Sequence, residues 1–340
     1  MAQKSPAERK VEPKSVQRLK YSFSRILTGS DLSSRRLALM EAKSIHPGPM
    51  VWLTGCVHGD EVGGMVVIQE IFRRLRKRPL LKGSLSAFPL MNPIGFETAS
   101  RHIGVSKEDL NRSFPGNLAG SVAERIAHKI FSSIVQTQPA LVLDLHNDWI
   151  KSIPYALVDP NPGPKRQEVF KTVKRFAGQT GFLVIHERES DTKVEELKRT
   201  LTGSLLEQDV PALSLELGEA YVVNEMNVTR GVNAAWKILV ELGMAAPAEE
   251  TPPYQLPVEF GDKLLWYSHQ PRSSSSGVIR FMAKPGDLVK QGQPIARIYN
   301  VFGKLQETLL APRAAIVLGH ADTSLALPGL PVMAFGIPEP

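Results

Sequence analysis

Two histidines and two glutamates lie in three short stretches that are far apart in the chain. The stretches are His58-Gly-Asp-Glu61, Leu143-Asp-Leu-His146 and Ser214-Leu-Glu216-Leu-Gly218. Imidazole nitrogens and carboxylate oxygens bind zinc, and a catalytic zinc site uses three protein ligands and a water. A further carboxylate then serves as the base for that water. If the three stretches converge in space, their residue types predict a zinc hydrolase.

An apolar run leads into each stretch and predicts the element that positions it. The runs are Pro49–Val57, Ala140–Leu145 and Pro211–Leu215. Short continuous apolar runs favour strands that are buried on both faces of a sheet. Because ligands bind at the carboxyl ends of the strands in open α/β sheets, we expect the three stretches to meet at one edge of one sheet.

Helical patterns alternate with the predicted strands. The apolar spacing in Val62–Arg76 predicts a helix, and Ser121 with Glu124 predicts a capping box at the start of another. A last helix is expected at Asn224–Leu242. This alternation predicts an α/β fold with a mixed, largely parallel sheet and helices on both faces.

The pattern changes near the C-terminus, and the 340 residues divide into four predicted parts. A flexible N-terminal arm is expected at 1–20 and a catalytic domain at 21–243. Residues 244–257 are rich in Ala, Pro and Glu and are predicted to be a linker. Residues 258–340 contain only short strand patterns between Gly and Pro turns, which predicts a small all-β domain.

Composition and charge narrow the classes of function. The formal net charge is +7, but no nucleic-acid recognition motif accompanies the basic residues, so nucleic acid is not a predicted partner. No apolar run is long enough to span a membrane, and the polar N-terminus lacks the apolar region of a signal peptide. Cys56 is the only cysteine, which excludes an intrachain disulfide. These features predict a cytoplasmic protein with no membrane partner.

Six segments, taken in order, resemble the succinylglutamate desuccinylase/aspartoacylase family, whose members are related to zinc carboxypeptidases. The resemblance covers roughly Leu37–Gly243, and the C-terminal segment resembles the biotinyl/lipoyl-type β domain that some members carry. The matching segments are Gly55-Cys-Val-His58-Gly-Asp-Glu61, Asn92-Pro-Ile-Gly-Phe96, Arg101, Asp109-Leu-Asn111-Arg112-Ser-Phe114-Pro-Gly116, Asp144-Leu-His146 and Leu215-Glu216-Leu-Gly218.

The resemblance implies a bound zinc ion and the residues that hold it. By this resemblance, His58, Glu61 and His146 hold one zinc ion per chain. Glu216 matches the catalytic carboxylate. Glu219, three residues further on, is the competing carboxylate in the sequence but lies outside the matched position.

The same resemblance implies a substrate that carries a carboxylate. Asn111 and Arg112 match residues that hold a substrate carboxylate, and Arg101 matches an arginine that polarises the scissile carbonyl. A guanidinium fits a carboxylate through two parallel hydrogen bonds. Aspartoacylase has a further substrate-binding arginine shortly before its catalytic glutamate, but Leu205–Pro211 contains none. The acyl group is therefore left open.

Three functions follow from these features. The first is a zinc-dependent amidohydrolase, a deacylase that cleaves the amide bond of a small N-acylated amino acid or a related carboxylate-bearing amide. The alternative is a metallocarboxypeptidase acting on short peptides, and the third is a binding protein that has neither a metal nor catalysis. The predicted partner is a small molecule, and the sequence leaves homo-oligomerisation open. Lys304 lacks the neighbours of a biotin- or lipoate-carrying lysine, so no carrier role is predicted.

Overall fold

The computed structural model describes residues 17–28, 34–104, 106–188, 194–248, 264–320 and 323–339. The strands are β1 Arg18–Thr28, β2 Ser34–Lys43, β3 Met50–Gly55, β4 Ser84–Phe88, β5 Leu141–His146, β6 Lys151–Ser152, β7 Pro154–Val158, β8 Leu183–His186, β9 Ala212–Leu217, β10 Leu265–Ser268, β11 Gly277–Phe281, β12 Leu288–Val289, β13 Pro294–Tyr299, β14 Leu305–Leu310, β15 Ala315–His320, β16 Leu325–Ala326 and β17 Met333–Pro338. The helices are α1 Gly63–Leu75, α2 Pro93–Glu97, α3 Val122–Val135, α4 Gln167–Gln179, α5 Val194–Leu197, α6 Leu201–Leu206 and α7 Glu225–Glu241.

One large mixed sheet runs through the molecule in the order β1-β2-β4-β3-β5-β9-β7-β8-β10-β17-β15-β12, and β6 pairs with β15. Its centre, β4-β3-β5-β9, is parallel throughout. Strand β7 runs antiparallel to β9, and β8 runs parallel to β7. The predicted α/β fold with a mixed, largely parallel sheet is therefore confirmed.

Helices cover both faces of the sheet centre, which explains why its strands are continuous apolar runs. On one face, α1, α4 and α7 pack their buried residues on alternate strand positions such as Leu53, Leu143 and Leu215. On the other face, α3 and α6 pack on the intervening positions, such as Trp52 and Val142. Neither face of these strands meets water, so the alternation of polar and apolar residues that marks a half-exposed strand is lost.

The helix ends agree with the local sequence signals. Helix α3 begins after Ser121, and the capping box with Glu124 is formed in both directions. Helix α7 begins after Asn224, whose side chain accepts hydrogen bonds from two backbone N–H groups of the first turn. The predicted helix at 62–76 is observed as α1, one residue shorter at each end.

The C-terminal part is all-β in its described residues and has a core of its own. Strands β14-β13-β11-β16 form a four-stranded antiparallel sheet. This sheet packs over β12, β15 and β17, with Ile295, Ile298 and Phe335 buried between the layers. The predicted small β domain is confirmed as a fold class.

The same C-terminal part is joined to the catalytic sheet by strand pairing. Strand β10 runs parallel to β8, with Leu265 beside Ile185 and Trp266 beside His186. A buried apolar cluster seals this seam and includes Tyr155, Leu183 and Ile316. The two parts therefore share one sheet, which the change of sequence pattern did not predict.

The predicted domain borders fall partly outside the described residues. Residues 1–16 and 249–263 are not described, so most of the predicted arm and the second half of the linker lie there. Of the rest, residues 18–20 belong to β1, and Met244 and Ala245 are buried against the core beside α7. Within the part of the chain that the structure describes, every helix is too short or too polar to cross a bilayer.

Candidate active site

The strand register gathers the candidate residues on one face of the sheet. His146 at the end of β5 lies beside Glu216 on β9, and Glu216 lies beside Tyr155 on β7. The next row in the same face contains Asp144 and Ser214. Residues that are paired across neighbouring strands project to the same side. The three sequence stretches therefore meet, as predicted, at the carboxyl ends of β3, β5 and β9.

His58, Glu61 and His146 form a buried cluster in which both imidazoles point at one carboxylate. The Nδ1 atom of His58 lies 2.5 Å from Oε1 of Glu61, and the Nδ1 atom of His146 lies 2.9 Å from Oε2. One potential ligand atom from each residue lies within 4.8 Å of the other two. Two neutral imidazole nitrogens and one carboxylate in this arrangement can hold a metal ion.

The outer nitrogens of both imidazoles are held by carboxylates. The Nε2 atom of His146 lies 2.8 Å from Asp144, whose other oxygen accepts a hydrogen bond of 2.7 Å from Thr54. The Nε2 atom of His58 lies 3.2 Å from Asp109. Metal-binding histidines usually donate their second N–H to such a carboxylate, which fixes the ring so that the other nitrogen faces the metal. The donor set and its outer partners thus fit a metal ion.

Charges around the cluster shift the pKa of its carboxylate and the pKa of His146 in opposite directions. Burial opposes ionisation of Glu61, but the two imidazoles outweigh it and hold the pKa of Glu61 well below its usual range. Burial would lower the pKa of His146, but Asp144 and Glu61 outweigh it and raise this pKa well above its usual value. The Glu61 carboxylate therefore stays ionised, and positive charge is favoured beside it at His146.

Cys56 precedes the cluster but does not belong to it. Its side chain is buried, and the Sγ atom faces the backbone oxygen of His58 at 3.3 Å. Burial, with Glu61 and Asp60 adding to it, raises the pKa of the Cys56 thiol to about 12. A thiol that stays protonated is a poor metal ligand. Cys56 instead occupies a left-handed backbone position, with φ of 54°, where the chain turns from β3 into the loop of His58.

Glu216 lies on the same sheet face as the cluster and is itself almost fully buried. Its Oε2 atom has no hydrogen-bond partner among the described residues. Burial, reinforced by Asp148 and Glu61, raises the pKa of Glu216 well above its usual value although His146 acts in the opposite direction. A carboxyl group of this kind is suited to accept and release a proton.

The competing carboxylate, Glu219, points elsewhere. Its two oxygens accept hydrogen bonds of 2.9 Å from the side chains of Asn224 and Asn227 at the start of α7. Glu219 therefore ties the loop after β9 to a helix, and Glu216 is the carboxylate that lies beside the cluster.

The loop between α2 and α3 brings Arg101, Asn111 and Arg112 to a cavity that the cluster and Glu216 also line. Arg101 forms an ion pair of 3.1 Å with Asp109 and lies 3.6 Å from Glu61. The Asn111 Oδ1 atom accepts a hydrogen bond of 2.9 Å from the N–H of Leu201 at the start of α6. The Arg112 guanidinium donates to the backbone oxygen of Asn111 at 2.8 Å.

A cavity of about 380 Å³ contains these residues and several others that the sequence did not single out. Strand β10 of the C-terminal part supplies Tyr267, and His269 follows it with its Nε2 atom 3.0 Å from the Tyr267 hydroxyl. His269 therefore lies at the wall of the cavity. No motif around His269 in the sequence marks this position, which depends on the pairing of β10 with β8.

Asn147 is a further residue that sequence reasoning missed. It follows His146 directly, and its side chain accepts a hydrogen bond of 2.9 Å from Gly63 and donates one of 2.9 Å to the backbone oxygen of Glu219. Its backbone N–H donates to Glu61 at 3.1 Å. Asn147 therefore connects the loops after β3, β5 and β9 around the cluster.

The fold and the cluster together define an α/β protein with a candidate metal site at the carboxyl edge of a mixed sheet. Residues 47–242 match the succinylglutamate desuccinylase/aspartoacylase catalytic domain. The chain belongs to this family, and its members are hydrolases of amide bonds.

Similar proteins agree with this assignment. The N-alpha-acetyl-L-2,4-diaminobutyric acid deacetylase of Halomonas elongata is 27% identical over 261 residues, which are 75% of this chain and 71% of that protein. The product-bound ectoine utilization protein EutE (DoeB) from Ruegeria pomeroyi has the same fold, with a TM-score of 0.79, 20% identity, and coverage of 98% of this chain and 100% of that chain. A metallo-carboxypeptidase from Burkholderia cenocepacia shares the fold at a TM-score of 0.50 and 16% identity, over 66% of this chain and 65% of that one.

Proposed function

We propose that the protein is a zinc-dependent deacylase that hydrolyses the amide bond of a small N-acylated amino acid or a related carboxylate-bearing amide. The observation that carries this proposal is the position of Glu216. Its buried carboxyl group, with one oxygen unpartnered among the described residues, lies on the same sheet face as the His58, Glu61 and His146 cluster. A proton acceptor beside a metal site is the arrangement that hydrolysis by water requires.

His58, Glu61 and His146 would hold one zinc ion per chain. Zinc supplies a Lewis acid that polarises a carbonyl and lowers the pKa of a water molecule. Asp144 and Asp109 keep the two imidazoles oriented so that both Nδ1 atoms face the Glu61 carboxylate, where the zinc ion would bind. The donor set of nitrogen and oxygen atoms without a thiolate suits zinc in a catalytic site, as the protonated Cys56 thiol contributes no ligand.

Glu216 would take a proton from the attacking water and deliver it to the nitrogen of the leaving amine. Its raised pKa serves both steps, because a group that binds a proton readily from water can still release it to a more basic amine. Arg101 lies at the rim of the cluster, 3.6 Å from Glu61, and could stabilise negative charge that develops on the carbonyl oxygen.

Arg112 and Asn111 would bind the carboxylate of the substrate. Arg112 has one guanidinium nitrogen on the backbone of Asn111, which fixes the side chain and leaves the rest of its fork for a ligand. Because Oδ1 of Asn111 is bound by Leu201, its amide nitrogen is the group that would reach a substrate. A small N-acyl amino acid with a free carboxylate fits this pair.

The Halomonas elongata relative is a deacetylase of an N-acetylated diamino acid, and this activity supports a deacylase. A carboxypeptidase acting on short peptides is the alternative that shares the fold. The single buried cysteine and the small-molecule substrate support a cytoplasmic location.

The test is hydrolysis by the zinc-loaded protein of N-acetyl amino acids, of dipeptides that end in the same residues, and of the N-acetyl amino acid carboxamides. We expect the N-acetyl amino acids to be cleaved best. Amidation of the carboxylate should lower kcat/KM by about tenfold to a hundredfold, the usual value of a charged hydrogen bond. Preferred cleavage of the dipeptides would favour the carboxypeptidase, and a protein that neither holds zinc nor hydrolyses any of these substrates would be a binding protein.

A further inference from the structure

The outer face of the four-stranded sheet β14-β13-β11-β16 has a row of exposed apolar side chains. Val278 on β11 is paired with Leu325 on β16 and with Tyr299 on β13. Tyr299 is paired in turn with Leu305 on β14. Residues that are paired across neighbouring strands project to the same side of a sheet, and Val278, Leu305 and Leu325 are each more than half exposed. The row therefore crosses all four strands, over about 14 Å at the usual strand spacing.

The hairpin between β13 and β14 extends this row with two apolar side chains that are almost fully exposed. Val301 is 92% exposed and Phe302 is 83% exposed. The Asn300 side chain accepts hydrogen bonds of 3.0 Å from the backbone N–H groups of Phe302 and Lys304. The turn is thus held in one shape, so its apolar tip can be buried without the cost of ordering a loop. We call the row together with Val301 and Phe302 the apolar strip.

A row of positive charge runs beside the apolar strip. Arg280 on β11 is paired with Arg297 on β13. These arginines lie two residues along their strands from Val278 and Tyr299, a distance of about 7 Å. Residues two apart in a strand project to the same side, so the arginines share the outer face with the strip. The Arg280 guanidinium lies over the Tyr299 ring, 5.7 Å from its centroid.

Carboxylates do not offset this charge on the outer face of the described strands. Glu307 is the one acidic residue within β11, β13, β14 and β16 as the structure describes them. It is paired with Ile298, whose side chain is buried in the core, and its carboxylate accepts hydrogen bonds from the N–H groups of Ser274 and Ser275. Residues 264–320 and 323–339 together contain seven Lys and Arg against three Asp and Glu. The face is therefore both apolar and basic.

We propose that this face binds the surface of an anionic phospholipid bilayer, with Val301 and Phe302 entering the interface and Arg280 and Arg297 facing the lipid head groups. Exposed apolar patches of this kind mark interaction surfaces. Stable binding of a peripheral protein usually combines inserted apolar groups with the attraction of basic residues to anionic lipids. The prediction of no membrane partner rested on the absence of a spanning run and of a signal peptide, and adsorption to a surface needs neither.

The charge and the shape of the face favour a bilayer over a second copy of the chain. Two copies packed through this face would bring the arginines of both into one interface, and like charges oppose such a contact. Val301 and Phe302 lie at the tip of a hairpin. A protein partner would need a matching cavity for such a tip, whereas the fluid interface of a bilayer needs none.

The test measures co-sedimentation of the full-length protein with sucrose-loaded vesicles. One set contains roughly three parts phosphatidylserine to seven parts phosphatidylcholine, and the other contains phosphatidylcholine alone. We expect the wild-type protein to bind the anionic vesicles at least about tenfold more tightly, and this affinity should fall as salt is added because exposed charges are screened. Absence of binding to the anionic vesicles, or equal affinity for both sets, would overturn the proposal.

Variants locate the binding surface on the molecule. Phe302→Ser should lower the affinity for anionic vesicles by about tenfold or more, since the burial of a phenylalanine side chain is lost. Arg280→Gln combined with Arg297→Gln should also lower it by about tenfold or more, because two charges near the lipid surface are removed.

Phe23→Ser is the matched control. Phe23 is another exposed phenylalanine, but it is on β1, at the opposite end of the large sheet from β12. This variant should bind within about twofold of wild type, the usual effect of a surface substitution. Equal losses in Phe23→Ser and Phe302→Ser, or no loss in Phe302→Ser and in the double arginine variant, would show that the face is not the binding surface.

Fluorescence reports whether the hairpin tip enters the bilayer. In the Phe302→Trp variant, anionic vesicles that contain brominated lipid should quench the emission more strongly than they quench the wild-type protein. Equal quenching of the two proteins would show that the tip stays outside the interface.

Sedimentation equilibrium without lipid distinguishes a bilayer from a second copy. We expect Phe302→Ser to leave the oligomeric state unchanged, and a dimer that this substitution dissociates would assign the strip to a second copy instead. Hydrolytic activity should be unchanged in the same variant, because the cavity is lined from β10 in the other sheet. Failure of the vesicle test would therefore leave the deacylase proposal intact.

Discussion

Glu216 is a buried glutamate with one carboxylate oxygen that has no hydrogen-bond partner among the described residues. The Glu216→Gln variant keeps the shape of the side chain and its capacity for hydrogen bonds, but it can no longer take up a proton. We expect kcat to fall by about a hundredfold to ten-thousandfold, the usual range for the loss of general acid–base help. Metal content, measured by atomic emission, should stay the same, because Glu216 is not one of the clustered residues.

Glu219→Gln is the matched comparison for this change. The glutamate at 219 holds Asn224 and Asn227 at the start of α7, so its replacement should affect stability more than catalysis. Activity within a few-fold of wild type is expected once the folded fraction is taken into account. The assignment of the base would be wrong if the Glu219 variant lost activity and the Glu216 variant kept it.

The metal cluster makes a prediction for its outer partners as well as for its ligands. His58→Ala or His146→Ala should remove most of the bound zinc and leave the secondary structure unchanged by circular dichroism. Asp144→Asn should retain the ligands but lower zinc affinity by about tenfold to a hundredfold, since the carboxylate no longer orients the His146 ring. Full zinc retention in both histidine variants, measured against a competing chelator, would exclude the site.

Among the individual residues, the sequence best predicted the positions of those that directly follow or end a buried strand. His58, His146 and Glu216 follow buried apolar runs, so their meeting could be predicted from the strand rule. Asp109 could not be predicted as the partner of His58, since a long loop brings it there.

At the element scale, helix α1 sits directly on strand β5 and fixes the loop that carries His58 and Glu61. Gly64 makes this close approach feasible. A Cβ atom added there would lie 2.5 Å from the backbone oxygen of Leu145 and 2.8 Å from its Cβ atom. Backbone cannot move aside as a flexible side chain can, so the helix must shift away from the strand.

Gly64→Ala should therefore destabilise the fold by about 1–3 kcal/mol, the usual cost of overpacking a core. Activity should fall as well, since the shift moves Glu61 relative to His146. Gly178→Ala is the matched control, because Gly178 is in helix α4 with nothing within 4 Å of the added Cβ. That variant should be as stable as wild type or more stable by about 0.5–1 kcal/mol. Urea denaturation measures both, and equal midpoints would contradict the packing argument.

The periodicity of the sequence predicted the helices and strands well, but it did not predict which strands pair with each other. The helix at Val62–Arg76 and the capping box at Ser121 were visible because both signals are local in the chain. The joining of β10 to β8 was invisible, since no short pattern records which edge of a sheet a later strand will choose. The change from helices to short strands after residue 257 predicted a small β part, which the structure confirms as a fold class, but not its continuity with the catalytic sheet.

At the scale of the whole molecule, the C-terminal β part completes the catalytic part in two ways. It covers the free edge of β8 through β10 and buries the seam around Tyr155, Leu183 and Ile185. It also supplies Tyr267 and His269 to the cavity wall. The protein should therefore depend on this part for both solubility and activity.

Truncation after Ala248 tests this dependence. The removal uncovers an unpaired strand edge and an apolar patch, a combination that promotes association of chains. We expect lower soluble yield, binding of an apolar dye, and loss of most hydrolytic activity in any soluble fraction. A control is Phe302→Ser, which removes an apolar side chain that is 83% exposed at the tip of the β13–β14 hairpin and far along the chain from Tyr267. That variant should keep both yield and activity, because the hairpin tip contributes nothing to the seam. A truncated protein that stayed soluble and fully active would contradict the prediction, since the catalytic part would then close its own sheet edge and cavity.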